Sequence, residues 1–135
     1  MKDMRFLCKD NALTASIYID LRRKVNFKEY RKEDVETAIA NSLYSVVVFD
    51  DKRPIGIARI VGDGRIAFFI KDVVVDPAYQ KNRIGNLLMQ KLQEYLAGAA
   101  CEGAYIGLCP HRTVFPSIKS MAFWSVHVTE WGRVW

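Results

Sequence analysis

The spacing of apolar residues near the start of the chain predicts an amphipathic helix over residues 14–25. Apolar side chains recur every four positions there, at Ile17, Leu21 and Val25, and such spacing places them on one helix face. Thr14 is a residue type that caps helix N-termini. Three cations, at 22–24, fall in the last turn, where positive charge suits the helix dipole.

Two shorter segments flank this helix. Residues 4–9 are mixed in polarity and short, which favours a first β-strand. Residues 32–42 carry Val35 and Ile39 one helical turn apart, so we expect a second helix that turns these two side chains inward.

The period then changes from helical to extended. The run LYSVVVFD at 43–50 is β-branched and aromatic, DDKRP is typical of a turn, and IGIARIVGD at 55–63 is the returning strand. The stretch RIAFFIKDVVVD at 65–76 is apolar almost throughout, which favours a central strand covered on both faces. A helix is expected over residues 83–96, with Ile84, Leu88, Leu92 and Tyr95 on one stripe. A last strand, AYIGL, follows at 104–108.

This order of elements predicts the fold class α+β (mixed α/β), with helices before and after a run of β-hairpins. The chain has 135 residues, a length that suits one domain with one core. We therefore interpret residues 1–135 as a single domain.

Composition narrows the class of protein. The three cysteines, Cys8, Cys101 and Cys109, are widely spaced and odd in number, which favours free thiols in a reducing cytoplasm and no zinc site. The N-terminal MKDMRFLCKD is too polar for a secretory signal, and no apolar run is long enough to span a membrane. The net charge of +5 fits either an ordinary soluble surface or a site for an anion.

The segment DVVVDPAYQKNRIGNLLMQ, from Asp72 to Gln90, carries the chemical signal. A strand ends in a tight loop that opens a helix, and a helix N-terminus presents unpaired N–H groups and partial positive charge. Lys81 and Arg83 add cations, and Gly85 lets a ligand approach the backbone. A phosphate-bearing ligand held by residues 81–86 is one interpretation, and an ordinary strand–loop–helix is the other.

The run VVVDPAYQKNRIGNLLM resembles the acetyl-CoA signature of the GCN5-related N-acetyltransferases, the GNAT family. That signature is a strand, a proline and then Gln/Arg-x-x-Gly-x-Gly/Ala at a helix start. Gln80 fits its first position and Gly85 its last, whereas Arg83 stands where the family has its first glycine. The resemblance covers residues 1–108 and implies a central, mostly antiparallel twisted sheet flanked by helices. Residues 109–135 form an atypical tail.

The resemblance implies acetyl-CoA as cosubstrate and assigns its binding to two groups of residues. Backbone groups at the strand end would hold the pantetheine arm, and the loop and helix start would hold the pyrophosphate. The residues concerned are Val73, Val74, Val75, Gln80, Lys81, Asn82, Arg83, Ile84, Gly85 and Asn86.

The implied reaction is direct attack of a primary amine on the acetyl group in a ternary complex. The amide of Val75 would polarise the carbonyl oxygen. Asp72 is the nearest carboxylate to act as base, although a structural partnership with an arginine such as Arg22 is the alternative. Phe27, Tyr30 and Tyr44 are candidates for an acceptor pocket, with core packing as the other role for each.

The tail lacks the tyrosine motif that the family places after the AYIGL strand. If the reading frame is shifted by one base, Met121 before Ala122 forces glycine, and Trp131 before Gly132 forces a second glycine. Permitted choices elsewhere then restore the motif. We interpret the tail as frameshifted after about residue 108, with a divergent natural tail as the alternative. Sequencing the encoding DNA tests this hypothesis.

The sequence thus predicts an acetyl-CoA-dependent N-acyltransferase of the cytoplasm whose activity is impaired by its tail. Its acceptor would be a small-molecule amine or a peptide N-terminus, and a homodimer is left open. The alternatives are a catalytically silent acyl-CoA-binding domain and a small basic nucleic-acid-binding domain. The spread of the basic residues over helices and loop disfavours the second alternative.

Overall fold

The structure, a computed structural model, describes residues 6–108. In chain order the elements are β1 (Phe6–Asp10), α1 (Ala15–Lys24), α2 (Lys32–Ala40), β2 (Tyr44–Asp50), β3 (Arg53–Gly62), β4 (Ala67–Val75), a 3₁₀-helix (Pro77–Tyr79), α3 (Ile84–Ala99) and β5 (Tyr105–Leu108). The strands form one sheet in the order β1-β2-β3-β4-β5. Neighbouring strands are antiparallel except β4 and β5, which are parallel. The predicted α+β class with a mostly antiparallel sheet is confirmed.

Helix α1 begins where the sequence predicted, because Thr14 accepts a hydrogen bond from the Ile17 N–H (3.2 Å). Of the predicted stripe, Leu21 and Val25 are buried and Ile17 is partly buried. Tyr18 and Arg22 are buried as well, which the stripe did not predict. The helix turns two polar side chains toward the sheet because a buried carboxylate on β4 receives them.

Helix α3 packs on the opposite face of the sheet. Its stripe of Ile84, Leu88, Leu92 and Leu96 is fully buried. A Cβ at Gly56 of β3 would lie 2.8 Å from Ile84 Cγ2, so the missing side chain at Gly56 lets the start of α3 approach the sheet. The helix start is therefore seated beside the end of β4.

Strand β4 is interior to the sheet, with β3 on one side and β5 on the other, and the middle strand of the five in residues 6–108 is β3. Only the second half of β4, Val73–Val75, is covered on both faces. In its first half Phe68 and Ile70 are buried and Phe69 is 39% exposed. The expectation of cover on both faces therefore holds for the part that leads into the loop.

Candidate active site

The loop after β4 is fixed by one buried carboxylate. Asp76 is 3% exposed, and its Oδ1 accepts the Ala78 N–H (2.9 Å), which caps the 3₁₀-helix. Its Oδ2 accepts a hydrogen bond from Lys24 Nζ (2.8 Å) at the end of α1. Its own N–H donates to the Ile55 carbonyl of β3 (2.8 Å). Sheet, helix and loop therefore meet at this residue.

Tyr79 is a second anchor of the same loop. Its hydroxyl donates to Asp50 Oδ2 at the end of β2 (2.6 Å), and its carbonyl accepts the Asn82 N–H (3.0 Å). Arg53 lies over the ring, with Cζ 6.0 Å from the centroid. The contacts of Asp76 and Tyr79 thus fix the path of residues 77–82 before the chain enters α3.

The start of α3 leaves its first amides unpaired. Within residues 6–108, the N–H groups of Ile84, Gly85 and Asn86 have no acceptor, and the first bond that enters the helix is from the Leu87 N–H to the Arg83 carbonyl (3.2 Å). Arg83 precedes the helix in the left-handed conformation (φ 62°) and provides no side-chain cap. These amides remain available to an external acceptor, and an anion is the acceptor that a helix N-terminus favours.

Space and charge around these amides fit the same ligand class. Among the residues that the structure describes, a Cβ at Gly85 would meet nothing within 4 Å, so none of them covers the backbone at this point. The side chains of Lys81 and Arg83 are exposed on either side of Asn82. The predicted phosphate-binding residues are thus brought together at one point on the surface.

The end of β4 directs the amide of Val75 toward the β5 side of the sheet. Asp76 donates to β3, and the backbone groups of an antiparallel strand alternate in direction, so those of Val75 face away from β3. Gln80 Nε2 lies 3.4 Å from the Val75 carbonyl, consistent with that direction. Pairing of β5 with β4 is described as far as Leu108, opposite Ile70, and the expected splaying of β5 beyond this point lies outside the described residues.

Asp72 lies at a β-bulge in the middle of β4. Ile57 of β3 pairs with Val74 while Arg59 pairs with Lys71, so β4 has one residue more than β3 in this interval. Asp72 has φ 56°, a conformation that Asp adopts more readily than most residues. The bulge turns its carboxylate toward α1.

Both carboxylate oxygens of Asp72 are occupied. Oδ1 accepts from Arg22, and Oδ2 accepts from the Tyr18 hydroxyl (2.9 Å) and from Arg59 Nε (2.8 Å). Each arginine has a further acceptor, the Lys28 carbonyl for Arg22 (2.9 Å) and the Ser42 hydroxyl for Arg59 (3.0 Å). The partnership with Arg22 that the sequence suggested is present, and the contacts favour this structural role of Asp72 over that of a base.

Tyr18 is held in its neutral form by this cluster. Burial raises the pKa of its hydroxyl to about 12, and the negative charge of Asp72 and the hydrogen bond to it act in the same direction. The hydroxyl is therefore a donor throughout the physiological pH range.

The three aromatic candidates for an acceptor pocket do not lie together. Phe27 and Tyr30 flank the Arg22 guanidinium at 5.1 and 5.4 Å on the α1 face of the sheet. Tyr44 stacks on Tyr95 of α3 on the other face, with ring centroids 4.7 Å apart. Phe27 and Tyr30 lie between α1 and α2, whereas Tyr44 is on β2 and faces α3, so the sheet separates Tyr44 from the other two.

Sequence reasoning missed the anchors of the loop. Asp76 followed by Pro77 is a recognisable start of a helical turn, with a capping side chain and proline at the first position. The contacts of Tyr79 with Asp50 and of Arg59 with Asp72 had no local signal, because each joins residues that are distant in sequence or on different strands.

Residues 6–108 contain no group of three or more His, Cys, Asp or Glu side chains placed to hold a metal ion. No helix among them has the length and hydropathy to cross a bilayer. The predicted frameshifted tail, residues 109–135, lies outside the described part of the chain.

Comparison with known proteins identifies the family. A sequence profile described as "Acetyltransferase (GNAT) family" matches residues 13–124, which is most of the chain. The chain belongs to the GNAT acetyltransferase family. The resemblance seen in the Gln80–Gly85 segment is thereby confirmed.

Individual relatives agree with this assignment. The chain is 35% identical over 74 residues to the chloroplastic GCN5-related N-acetyltransferase 1 of Arabidopsis thaliana, and the match spans 53% of this chain but only 38% of that protein. A probable acetyltransferase of Staphylococcus aureus superposes with a TM-score of 0.79 at 27% identity, covering 87% of this chain and 86% of the other. A GNAT protein of Streptococcus pneumoniae, at 23% identity, shares the fold with a TM-score of 0.71 over 91% of this chain and 86% of the other.

Proposed function

We propose that this GNAT protein transfers an acetyl group from acetyl-CoA to an amine, either a small molecule or a peptide N-terminus. The observation that carries the proposal is the row of unpaired amides at Ile84, Gly85 and Asn86, placed where the family motif starts its helix. Membership of the family supplies the reaction class.

The residues at this point fit the diphosphate of the cosubstrate. Three N–H groups without acceptors, the positive end of α3 and the exposed cations of Lys81 and Arg83 all favour an anion. Gly85 adds the clear approach that backbone contact needs. Gln80 lies between this loop and the Val75 carbonyl and would support the turn between the two parts of the site.

Bound acetyl-CoA would supply a thioester, so that a C–N bond to the neutral amine forms as the C–S bond breaks, and the loss of a proton from the amine nitrogen is balanced by protonation of the leaving sulfur to the coenzyme A thiol. The chain would assist through the Val75 N–H, which points away from β3. This N–H would donate a hydrogen bond to the thioester carbonyl oxygen as that oxygen gains negative charge. Val73 would add backbone contacts along the same strand end, whereas the backbone groups of Val74, which was also predicted to bind the arm, face β3 opposite Ile57.

Asp72 is not proposed as the acceptor of the amine proton. Its two oxygens already accept hydrogen bonds from two guanidinium groups and a hydroxyl. These hydrogen bonds engage the carboxylate within the protein, between α1 and β3, rather than leaving it to face a ligand. Its proposed role is to hold α1 against the bulge of β4.

Calorimetric titration with coenzyme A, followed by an acetyl-transfer assay with a panel of amines, tests the function. The panel contains a polyamine, an aralkylamine, an amino sugar and a peptide with a free N-terminus, and the product thiol is detected directly. Saturable binding together with release of thiol that depends on the amine supports the proposal. Absence of binding contradicts it, and binding without transfer favours the catalytically silent alternative.

A further inference from the structure

We propose that the Asp76–Lys24 pair positions the diphosphate-binding loop from the end of α1, so that Lys24, far from the cosubstrate motif in sequence, sets the affinity for coenzyme A. This inference rests on the proposed function of the loop. It assigns a role to Lys24, which lies outside the motif, and to the side chain of Asp76, which lies within the motif segment but outside the amides that would touch the ligand.

The geometry makes Asp76 the junction between strand and loop. It directly follows Val75, its N–H is bound to β3, and its carbonyl accepts the Tyr79 N–H (2.8 Å). Its Oδ1 also accepts the Ala78 N–H, so both backbone groups and one carboxylate oxygen of Asp76 hold the chain where the strand passes into the loop. A rotation at Asp76 would therefore be transmitted to the residues that follow it.

The remaining carboxylate oxygen is held from outside the loop. Lys24 Nζ donates to Oδ2 at 2.8 Å, and Arg53 NH2 lies 3.9 Å from the same atom. The Lys24 side chain is 39% exposed, whereas that of Asp76 is 5% exposed. Burial of Asp76 raises its pKa, but the hydrogen bonds from Lys24 and the Ala78 N–H, with the charges of Lys24 and Arg53, bring the pKa below its ordinary value.

The Lys24 side chain is 39% exposed, so we expect its loss to cost the fold little, which separates positioning from stability. Lys24 makes one bond, to a carboxylate that still keeps the Ala78 N–H and the nearby Arg53. Loss of this bond would change the direction in which the loop leaves β4 more than it would lower the free energy of unfolding. Misplacing a binding group by a fraction of an ångström is enough to weaken binding.

The experiment compares Lys24→Met, Lys24→Arg and Arg23→Met in the full chain. Arg23 is the matched control, because it is the adjacent cation of α1, 57% exposed, and pairs with Glu29 and Asp20 rather than with the loop. Calorimetry measures the Kd for coenzyme A, and steady-state kinetics measures KM for acetyl-CoA and kcat. Amide NMR reports the environment of Ile84, Gly85 and Asn86 without any ligand.

We expect Lys24→Met to weaken coenzyme A binding about fivefold and to raise KM by a similar factor, with kcat at saturation within about twofold. We also expect it to shift the three amide resonances, whereas Lys24→Arg restores binding and Arg23→Met changes neither. Asp76→Asn, which keeps the size of the side chain, should show the same split between KM and kcat.

Two failures are distinguishable. If the unmodified chain does not bind coenzyme A, the proposed function falls and this inference falls with it. If the unmodified chain binds but Lys24→Met binds equally well with unshifted amides, the inference alone is overturned. A loss of thermal stability in Lys24→Met with unchanged Kd would also overturn it, since the pair would then be structural only.

Discussion

Asp72 and Arg83 share an unusual backbone conformation but stand in opposite surroundings. Both have φ near +60°, at 56° and 62°. Asp72 is buried and its carboxylate receives three donors, whereas Arg83 is exposed, provides no cap and precedes a row of unpaired amides. Asp72, a residue of unusual backbone conformation whose carboxylate is fully hydrogen-bonded, serves the fold. Arg83, a residue of similar conformation beside amides without an acceptor among residues 6–108, marks a place for a ligand.

The largest effect should come from breaking the satisfied cluster. Asp72→Ala would leave Arg22 and Arg59, with side chains 8% and 9% exposed, as buried cations without their carboxylate. We expect the free energy of unfolding to fall by about 3–5 kcal/mol, measured by urea denaturation.

The control for that variant is Glu36→Ala, which removes an exposed partner of Lys32 (3.8 Å). It should cost less than about 0.5 kcal/mol. A loss of under about 1 kcal/mol in Asp72→Ala would mean that the cluster is not what holds α1 to the bulge.

The next-largest effect should come from the start of α3, where the first amides have no acceptor among residues 6–108. Gly85→Ala places a methyl group where no atom of residues 6–108 lies within 4 Å, so this part of the fold should tolerate it, while the approach of a diphosphate to the backbone is obstructed. We expect coenzyme A to bind about tenfold more weakly, or about 1.4 kcal/mol, measured by calorimetry.

Gly98→Ala is the matched control, because Gly98 lies on the same helix and its Cβ would also meet open space. It should leave coenzyme A binding unchanged. Equal affinities for the two variants would argue against backbone contact at the start of α3.

A smaller effect should follow from relieving the strain at Arg83. Arg83→Gly removes the Cβ from a left-handed position, and we expect a gain of about 1 kcal/mol in thermal or urea unfolding. Lys81→Gly, at a neighbouring position without positive φ, should give no gain. Equal changes in both variants would show that the conformation of Arg83 stores no strain.

The effect that is smallest near neutral pH is a dependence of stability on alkaline pH. In the unfolded chain a tyrosine ionises near pH 10, whereas burial, the charge of Asp72 and the hydrogen bond to it raise the pKa of Tyr18 to about 12. The unfolded state therefore loses its proton first, so the contribution of Tyr18 is complete below about pH 10 and declines as pH rises toward about 12.

Tyr18→Phe should lessen this decline, as followed by urea titrations at several pH values. Burial and the hydrogen bond to Asp10 also raise the pKa of Tyr44, so part of the slope should persist. Tyr105→Phe, on a ring that is 50% exposed, is the control. An unchanged slope in Tyr18→Phe would contradict the assignment.

The departure from the family pattern at Arg83 was visible in the sequence, but its meaning was not. Glycine is common at such a position because it reaches positive φ without a steric penalty, and Arg83 does adopt positive φ here. The loop thus has, at the position of the family's first glycine, a backbone conformation that suits glycine, although the residue there is arginine. What the motif could not predict is that Asp76 and Tyr79 anchor that loop to α1 and β2.

Local periodicity by itself determined the helices, the strands, their order and the segment that opens α3, since each depends on residues only a few positions apart. Residues 22 and 72, or 24 and 76, are brought together only by the sheet order and the bulge in β4. Tertiary structure therefore decided which polar groups are paired and which are free. Hydrogen bonds between distant segments depend on atomic positions that no short-range pattern specifies.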